Sequence, residues 1–219
     1  MAKLGLGINV HDESINRIKW TFDNFERIYL SFSAGKDSTV MLHLVAQEAQ
    51  RRNKKIGLLL VDLEGQYKLT IDHALEMIEI YKDVLEVYWC CLPIALRNAV
   101  SVYEPKWTCW DDEKQEDWIR EMPDVAISDV NYFPFFKKNM EFEDFVPLFG
   151  EWYSKGKSTA CLVGIRADES LNRFRTIASS SKVKKQDKQY TTKVTENVFN
   201  VYPIYDWKTK DIWIYHHMT

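Results

Sequence analysis

Between Ser33 and Ser38 the chain reads Ser-Ala-Gly-Lys-Asp-Ser, placing two hydroxyls, an ammonium and a carboxylate around a glycine. Small side chains let an anion approach backbone N–H groups, and the N–H groups that open a helix attract anions. Ser33, Gly35 and Ser38 are small enough, and Lys36 adds a mobile positive charge. This makes a phosphate site if the stretch joins a strand to a helix. The plainer reading is a polar turn with an N-cap serine. It is not the Walker loop: Leu30 stands where that motif has its first glycine, and Asp37 follows the lysine where it has Ser or Thr.

Two further groups could serve the same anion. Asp62 closes the apolar run Leu-Leu-Leu-Val-Asp. An acidic residue at a strand end reaches a ribose hydroxyl or a metal ion, or is a solvated strand cap. Gly164 to Arg175 (GIRADESLNRFR) gathers Arg166, Arg173 and Arg175 around Asp168 and Glu169. Arginine forks hold phosphate or sulfate oxygens, and acidic residues orient them or favour a helix start. The alternative is a salt-bridged helix start with no ligand.

The elements that must carry these groups alternate. Helical periodicity covers His11 to Phe25 through Ile15, Ile18 and Phe22, then Ser38 to Arg52, Leu69 to Lys82 and Phe142 to Tyr153. Strand patterns cover Glu26 to Ser33, Ile56 to Asp62, Leu85 to Cys91, Thr159 to Ile165 and Asn197 to Tyr202. The second of these is almost wholly apolar, as in a strand buried on both faces. Alternation of this kind predicts a parallel sheet with right-handed crossovers. In such sheets ligands sit beyond the carboxyl ends of strands, where the candidate segments lie. Ala95 to Met140 breaks the rhythm and reads as an irregular insertion. Ser179 to Lys193 is polar and lysine-rich and reads as a mobile loop. Asp206 to Thr219 reads as a turn and an amphipathic helix with no C-cap signal, so the natural chain is expected to continue.

The 219 residues suit one domain of ordinary size, and 46% hydrophobic and 28% charged residues suit a soluble globular protein. A net charge of −3 gives no global basic field for nucleic acid. Cys90, Cys91, Cys109 and Cys161 form no CxxC pair and match no zinc pattern. They read as reduced thiols in a cytoplasmic protein. The N-terminus is too polar for a signal peptide, and no run of about 18 apolar residues spans a membrane.

The loop resembles the pyrophosphate-binding loop of the N-type ATP pyrophosphatases, the adenine nucleotide α-hydrolase-like proteins, whose usual pattern is Ser-Gly-Gly-x-Asp-Ser. Ala34 departs from it. That change is mild in an ordinary backbone conformation and costly at positive φ. SFSAGKDSTVMLHL, VDLEG, GIRADESLNR and PIYDWKTKDIW are together similar to the phosphoadenosine phosphosulfate reductase family. The loop and its helix are also similar to the small subunit of sulfate adenylyltransferase. The resemblance runs from Ser31 to about Trp213 and leaves Ala95 to Met140 unmatched. It implies a single α/β domain over 1–219, a doubly wound, mostly parallel five-stranded sheet with helices on both faces and the insertion at about 95–140. It implies an adenine nucleotide, ATP or phosphoadenosine phosphosulfate, with Mg²⁺ as helper.

The resemblance carries nucleotide binding onto Ser31, Phe32, Ser33, Ala34, Gly35, Lys36, Asp37 and Ser38, onto Asp62 near ribose or adenine, and onto Gly164, Arg166, Asp168, Glu169, Arg173 and Arg175 around the phosphates or sulfate. Lys36 and Arg166 would stabilise the charge that develops in the reaction. The family's reductases use a cysteine near the C-terminus in a Cys-Gly-x-His context, and no cysteine follows Cys161. Cys90-Cys91 resembles the paired cysteines of iron–sulfur reductases, but the partnering CxxC is missing, so no iron–sulfur cluster is expected.

Three functions follow as expectations. The first is ATP chemistry at the α-phosphate, with adenylyl transfer and pyrophosphate release in sulfur or sulfate metabolism. The second is phosphoadenosine phosphosulfate reduction or sulfur transfer with a thiol donor. The third is a non-catalytic nucleotide-binding regulatory module. A protein partner or further C-terminal residues would supply what the sheet lacks. Smaller features keep two readings each. Trp107, Cys109 and Trp110 stack a base or pin the insertion to the core. Lys182, Lys184, Lys185 and Lys188 close over phosphates or are solvated. His216 and His217 diverge on a helix and make a poor metal pair.

Overall fold

A computed structural model describes residues 7–98, 100, 102–103, 105–179 and 182–219. Residues 1–6 of the polar N-terminus, 99, 101 and 104 of the insertion, and 180–181 of the lysine-rich loop lie outside the described residues. In chain order the elements are α1 (Val10–Asn24), β1 (Arg27–Ser31), α2 (Lys36–Arg51), β2 (Ile56–Val61), α3 (Lys68–Ile80), β3 (Leu85–Cys90), β4 (Ala95–Arg97), β5 (Lys106–Thr108), α4 (Phe142–Ser154), β6 (Thr159–Val163), α5 (Leu171–Ala178), β7 (Thr191–Lys193), β8 (Val198–Val201) and α6 (Thr209–Met218).

The main sheet orders β3-β2-β1-β6-β8-β7. Strands β3, β2, β1, β6 and β8 are parallel, and Ser31 at the end of β1 stands between Leu59 of β2 and Val163 of β6. These are the strands the sequence pattern predicts. β2 is apolar throughout because helices cover both its faces. From β1 the chain steps outward through β2 to β3 and returns past β1 to β6. The connections that leave β1 and β6 therefore run to opposite sides of the sheet, and the crevice between them is where open α/β sheets bind ligands.

Helix α2 packs on one face beside α1 and α6, and Thr39 of α2 hydrogen-bonds His73 of α3 at 2.9 Å. Helix α4 covers the opposite face, its Tyr153 hydroxyl donating to the Ile28 carbonyl at 3.0 Å. Gly57 permits this approach: a Cβ there would stand 2.9 Å from the Tyr153 ring and from Tyr29 Cβ. Aromatic rings fill the layer under α4, with Phe133 of the insertion 4.9 Å from the Trp152 ring.

The insertion is more ordered than its composition suggests. β4 and β5 form an antiparallel hairpin, and a 3-10 turn covers Asp112–Asp117. Cys109, Trp110 and Phe133 are buried, which is the pinning role; Trp107 stays partly exposed. The lysine-rich loop requires a correction. Its described part ends in β7, an antiparallel edge strand with Thr192 opposite Asn200. Lys184 Nζ donates to the Ile177 and Gln189 carbonyls at 3.1 and 3.2 Å. Lys185 Nζ reaches Ser158 Oγ at 3.1 Å and lies 5.1 Å over the Phe25 ring. The contacts of Lys184 and Lys185 tie the described residues around them to the core despite their polar composition. No helix among the described residues is long and apolar enough to cross a membrane.

Candidate functional site

Strand β1 delivers the loop to the carboxyl edge of the sheet. Ser31 is half-buried and Phe32 buried, and the exposed Ser33 then opens onto that edge. Ala34 follows at φ +54°, so the costly alternative for a non-glycine residue applies. Gly35 caps α2 without a side-chain acceptor. The first-turn N–H groups of a helix have no intrahelical partner, and here Ser33 and Gly35 beside them are exposed. The loop's hydroxyls hold its shape. Ser38 Oγ donates to the Gly35 carbonyl at 3.0 Å and lies 3.1 Å from Ser33 Oγ, while Thr39 Oγ1 donates to the same carbonyl at 3.0 Å.

The charges are ordered around Asp37. Its buried carboxylate accepts from Lys36 Nζ at 2.8 Å and from Arg166 Nε at 2.6 Å. Arg166 arrives from the loop after β6 and is almost wholly buried. Gly164 makes that closeness possible: a Cβ there would stand 3.1 Å from the Asp37 carbonyl oxygen and 3.1 Å from Met41 Cγ. Arg166 Nη1 also reaches Thr209 Oγ1 at 3.3 Å, and its backbone N–H donates to Glu169 Oε2 at 2.9 Å. Glu169 in turn pairs with Arg173. The structure thus brings together the loop, Gly164, Arg166, Glu169 and Arg173. Asp168 and Arg175 are exposed.

Asp62 lies elsewhere in this scheme. It is fully buried, and Trp89 Nε1, the Glu64 N–H and Arg120 Nη2 donate to its carboxylate at 2.8, 2.9 and 2.5 Å. A solvated strand cap needs an open carboxylate, which this burial excludes. Here it anchors the insertion instead. Trp110 strengthens that anchor through Nε1, which donates to the Asp62 carbonyl at 2.9 Å. Glu64 beside it accepts the Trp110 and Ile119 N–H groups at 2.7 and 3.0 Å.

Residue patterning missed three neighbours of the site. Thr209 holds Arg166, His216 Nε2 lies 2.9 Å from the Lys36 carbonyl oxygen, and His73 meets Thr39. Thr209 sits in the PIYDWKTKDIW segment that carried the resemblance, and His216 follows it by two helical turns. His43, also on α2, is held below its ordinary pKa by burial, with His216 and His73 adding to the effect. All four cysteines are buried, and burial pushes Cys161 up to about 12 and Cys109 up to about 11. A thiolate nucleophile needs a lowered value and access.

The model of the phosphoadenosine phosphosulfate reductase domain matches residues 27–219. The uncharacterized protein YbdN of Escherichia coli K12 is 43% identical over 217 residues, which cover 98% of this chain and 53% of YbdN. The chain therefore spans about half the length of that curated relative. Among solved structures, phosphoadenylyl-sulfate reductase from Candida auris in a phosphate complex has a TM-score of 0.48 at 13% identity, covering 99% of this chain and 88% of that one. The U34-tRNA thiolase NcsA from Methanococcus maripaludis, with its [4Fe-4S] cluster, has a TM-score of 0.47 at 12% identity, covering 95% and 64%. Because the family match starts at β1, includes the phosphate loop and the Arg166 segment, and runs through α6, the chain belongs to the phosphoadenosine phosphosulfate reductase domain family.

Proposed function

We propose that the chain binds an adenine nucleotide, ATP in the first instance, with its phosphates on the loop Ser33 to Ser38, and acts at the α-phosphate. One observation carries the reading. Helix α2 opens on a glycine cap with no side-chain acceptor, and Lys36 and Arg166 meet beside it on Asp37. In this reading an acceptor oxygen attacks the α-phosphorus, the bond to the β-phosphate oxygen breaks, and pyrophosphate leaves. Lys36 neutralises charge on the departing phosphates, and Arg166 holds Asp37 so that Lys36 stays within reach of them. Catalysis then rests on positioning and electrostatics, in keeping with a loop of amides and cations. The acceptor is sulfate or another group with an oxygen nucleophile.

Mg²⁺ enters this scheme as part of the substrate, MgATP. Such ions are held by phosphates and one or two carboxylates rather than by an all-protein cage. The described residues contain no group of three His, Cys, Asp or Glu side chains placed to hold a metal on their own. Reduction of an activated sulfate would need an accessible thiol. The four cysteines of this chain are buried, so that chemistry would require a thiol donor from outside the described site.

Calorimetric titration with ATP, a non-hydrolysable analogue and phosphoadenosine phosphate tests the reading. ATP should bind more tightly than phosphoadenosine phosphate. Lys36→Ala should weaken ATP binding at least ~10-fold, through loss of a charge-assisted contact of about 1.5–3 kcal/mol. Unchanged affinity in Lys36→Ala would place the phosphates elsewhere.

A further inference from the structure

We propose that His216 is a positioning residue for the phosphate site, acting from α6 on the peptide group that opens α2. This rests on the nucleotide reading above and adds a residue to it. His216 Nε2 lies 2.9 Å from the Lys36 carbonyl oxygen, a contact between residues 180 positions apart. A carbonyl only accepts, so Nε2 carries the hydrogen and His216 is the donor. A carbonyl in the first turn of a helix already accepts the N–H four residues on. The contact from α6 is therefore not needed to satisfy that oxygen.

Its effect falls on the other end of the same peptide unit. The Lys36 carbonyl and the Asp37 N–H share one rigid plane, and the Asp37 N–H is among the first-turn donors that the glycine cap leaves without a side-chain acceptor. A hydrogen bond at the carbonyl end fixes the plane and polarises the unit, making its N–H a stronger donor toward an anion. His216 thus acts on phosphate through backbone, without touching the ligand.

The placement is not confined to one contact. Thr209 lies seven residues earlier on α6, on the same stripe of the helix. Its Oγ1 accepts from Arg166 Nη1 at 3.3 Å. Ile212 and Tyr215, on that inner side, are buried and seat the helix. One helix face therefore registers the loop after β1 against the loop after β6, the two halves of the proposed anion site. His216 serves the first half and Thr209 the second.

Calorimetric titration of the full chain with ATP, in His216→Phe and His216→Gln, tests this. Phe keeps a planar ring without a donor, and Gln offers an amide N–H near the position of Nε2. His216→Phe should weaken ATP binding about fivefold to tenfold, the size of one hydrogen bond, and His216→Gln should stay within about twofold of the parent protein. Thermal melting read in parallel reports the fold, and His216→Ala replaces His216→Phe as the donor-free variant if the latter melts early. Parent-like binding by the donor-free variant would overturn the proposal. So would a His216→Gln protein that melts normally yet binds as weakly as the donor-free variant. A parent protein that binds no adenine nucleotide would overturn the function reading, a result distinct from either of these.

Discussion

Ala34 stands at φ +54° and is buried in the turn that presents the phosphate loop. The left-handed region costs an L-residue roughly 1–2 kcal/mol. At an ordinary backbone position Ala→Gly costs about 0.5–1 kcal/mol in backbone entropy. Strain relief should cancel that cost here, so Ala34→Gly is expected to melt at or above the parent temperature. Ala34→Val, with a β-branched side chain in the same region, should lose about 2 kcal/mol or more, roughly 4–8 °C for a chain of this size. Differential scanning calorimetry of both variants checks this. A fall in melting temperature for Ala34→Gly would mean that φ is negative in solution. The sequence raised the question at this residue but held no information on φ, because backbone torsion at a loop depends on the strand and helix it connects. Asp37 was similarly legible only in part. Its place in the motif was visible, whereas its use as the common partner of Lys36 and Arg166 arises from β6 lying beside β1.

Helix α2 links the site to the helical layer around it. His43 projects from it toward Tyr81 and toward Tyr215 of α6, with ring centroids 5.8 and 6.1 Å away. Its pKa is lowered by burial first, then by His216 and His73. The folded state therefore binds fewer protons than the unfolded chain, whose histidines titrate near the ordinary value of about 6.5. Stability from this group is complete above that pH and is lost as pH falls through it toward the lowered folded value. Thermal melts between pH 7.5 and 5 should show a decline that is shallower in His43→Gln; equal slopes would remove His43 from the account. At the scale of elements the sequence was informative wherever periodicity ran long. All five parallel strands and helices α1 to α4 lie where the pattern predicts, within a few residues. Helix α5 was visible only as a helix start with no extent, and strand β7 was not separable from loop. The first is only eight residues long, and the second is an edge strand of three residues whose lysine-rich surroundings disguise it. The insertion escaped for another reason. Its buried Trp110 depends on contacts with Asp62 and Glu64, far back in the chain.

Across the whole molecule, the topology decides where chemistry can occur. The chain winds outward from β1 to β3 and then returns to β6, so the loops that follow these paired strands lie side by side before their connections part. The phosphate loop follows the first of these strands, Gly164 and Arg166 follow the second, and α6 joins both. The sequence placed the loop and the arginine segment separately at strand ends. It had no means of placing α6 over them, since that contact spans nearly the full chain. Asp62 shows the converse, a residue well placed by pattern whose carboxylate the insertion has taken. The central claim is that a nucleotide's phosphates rest on the amides where β1 gives way to α2. Amide hydrogen exchange, measured with and without a non-hydrolysable ATP analogue at about 100 times its Kd, tests it most directly. The account predicts slowing of up to about 100-fold at residues 33–39, accompanied by protection around 164–166. Protection confined to other segments, with exchange at 33–39 unchanged by the analogue, would contradict it.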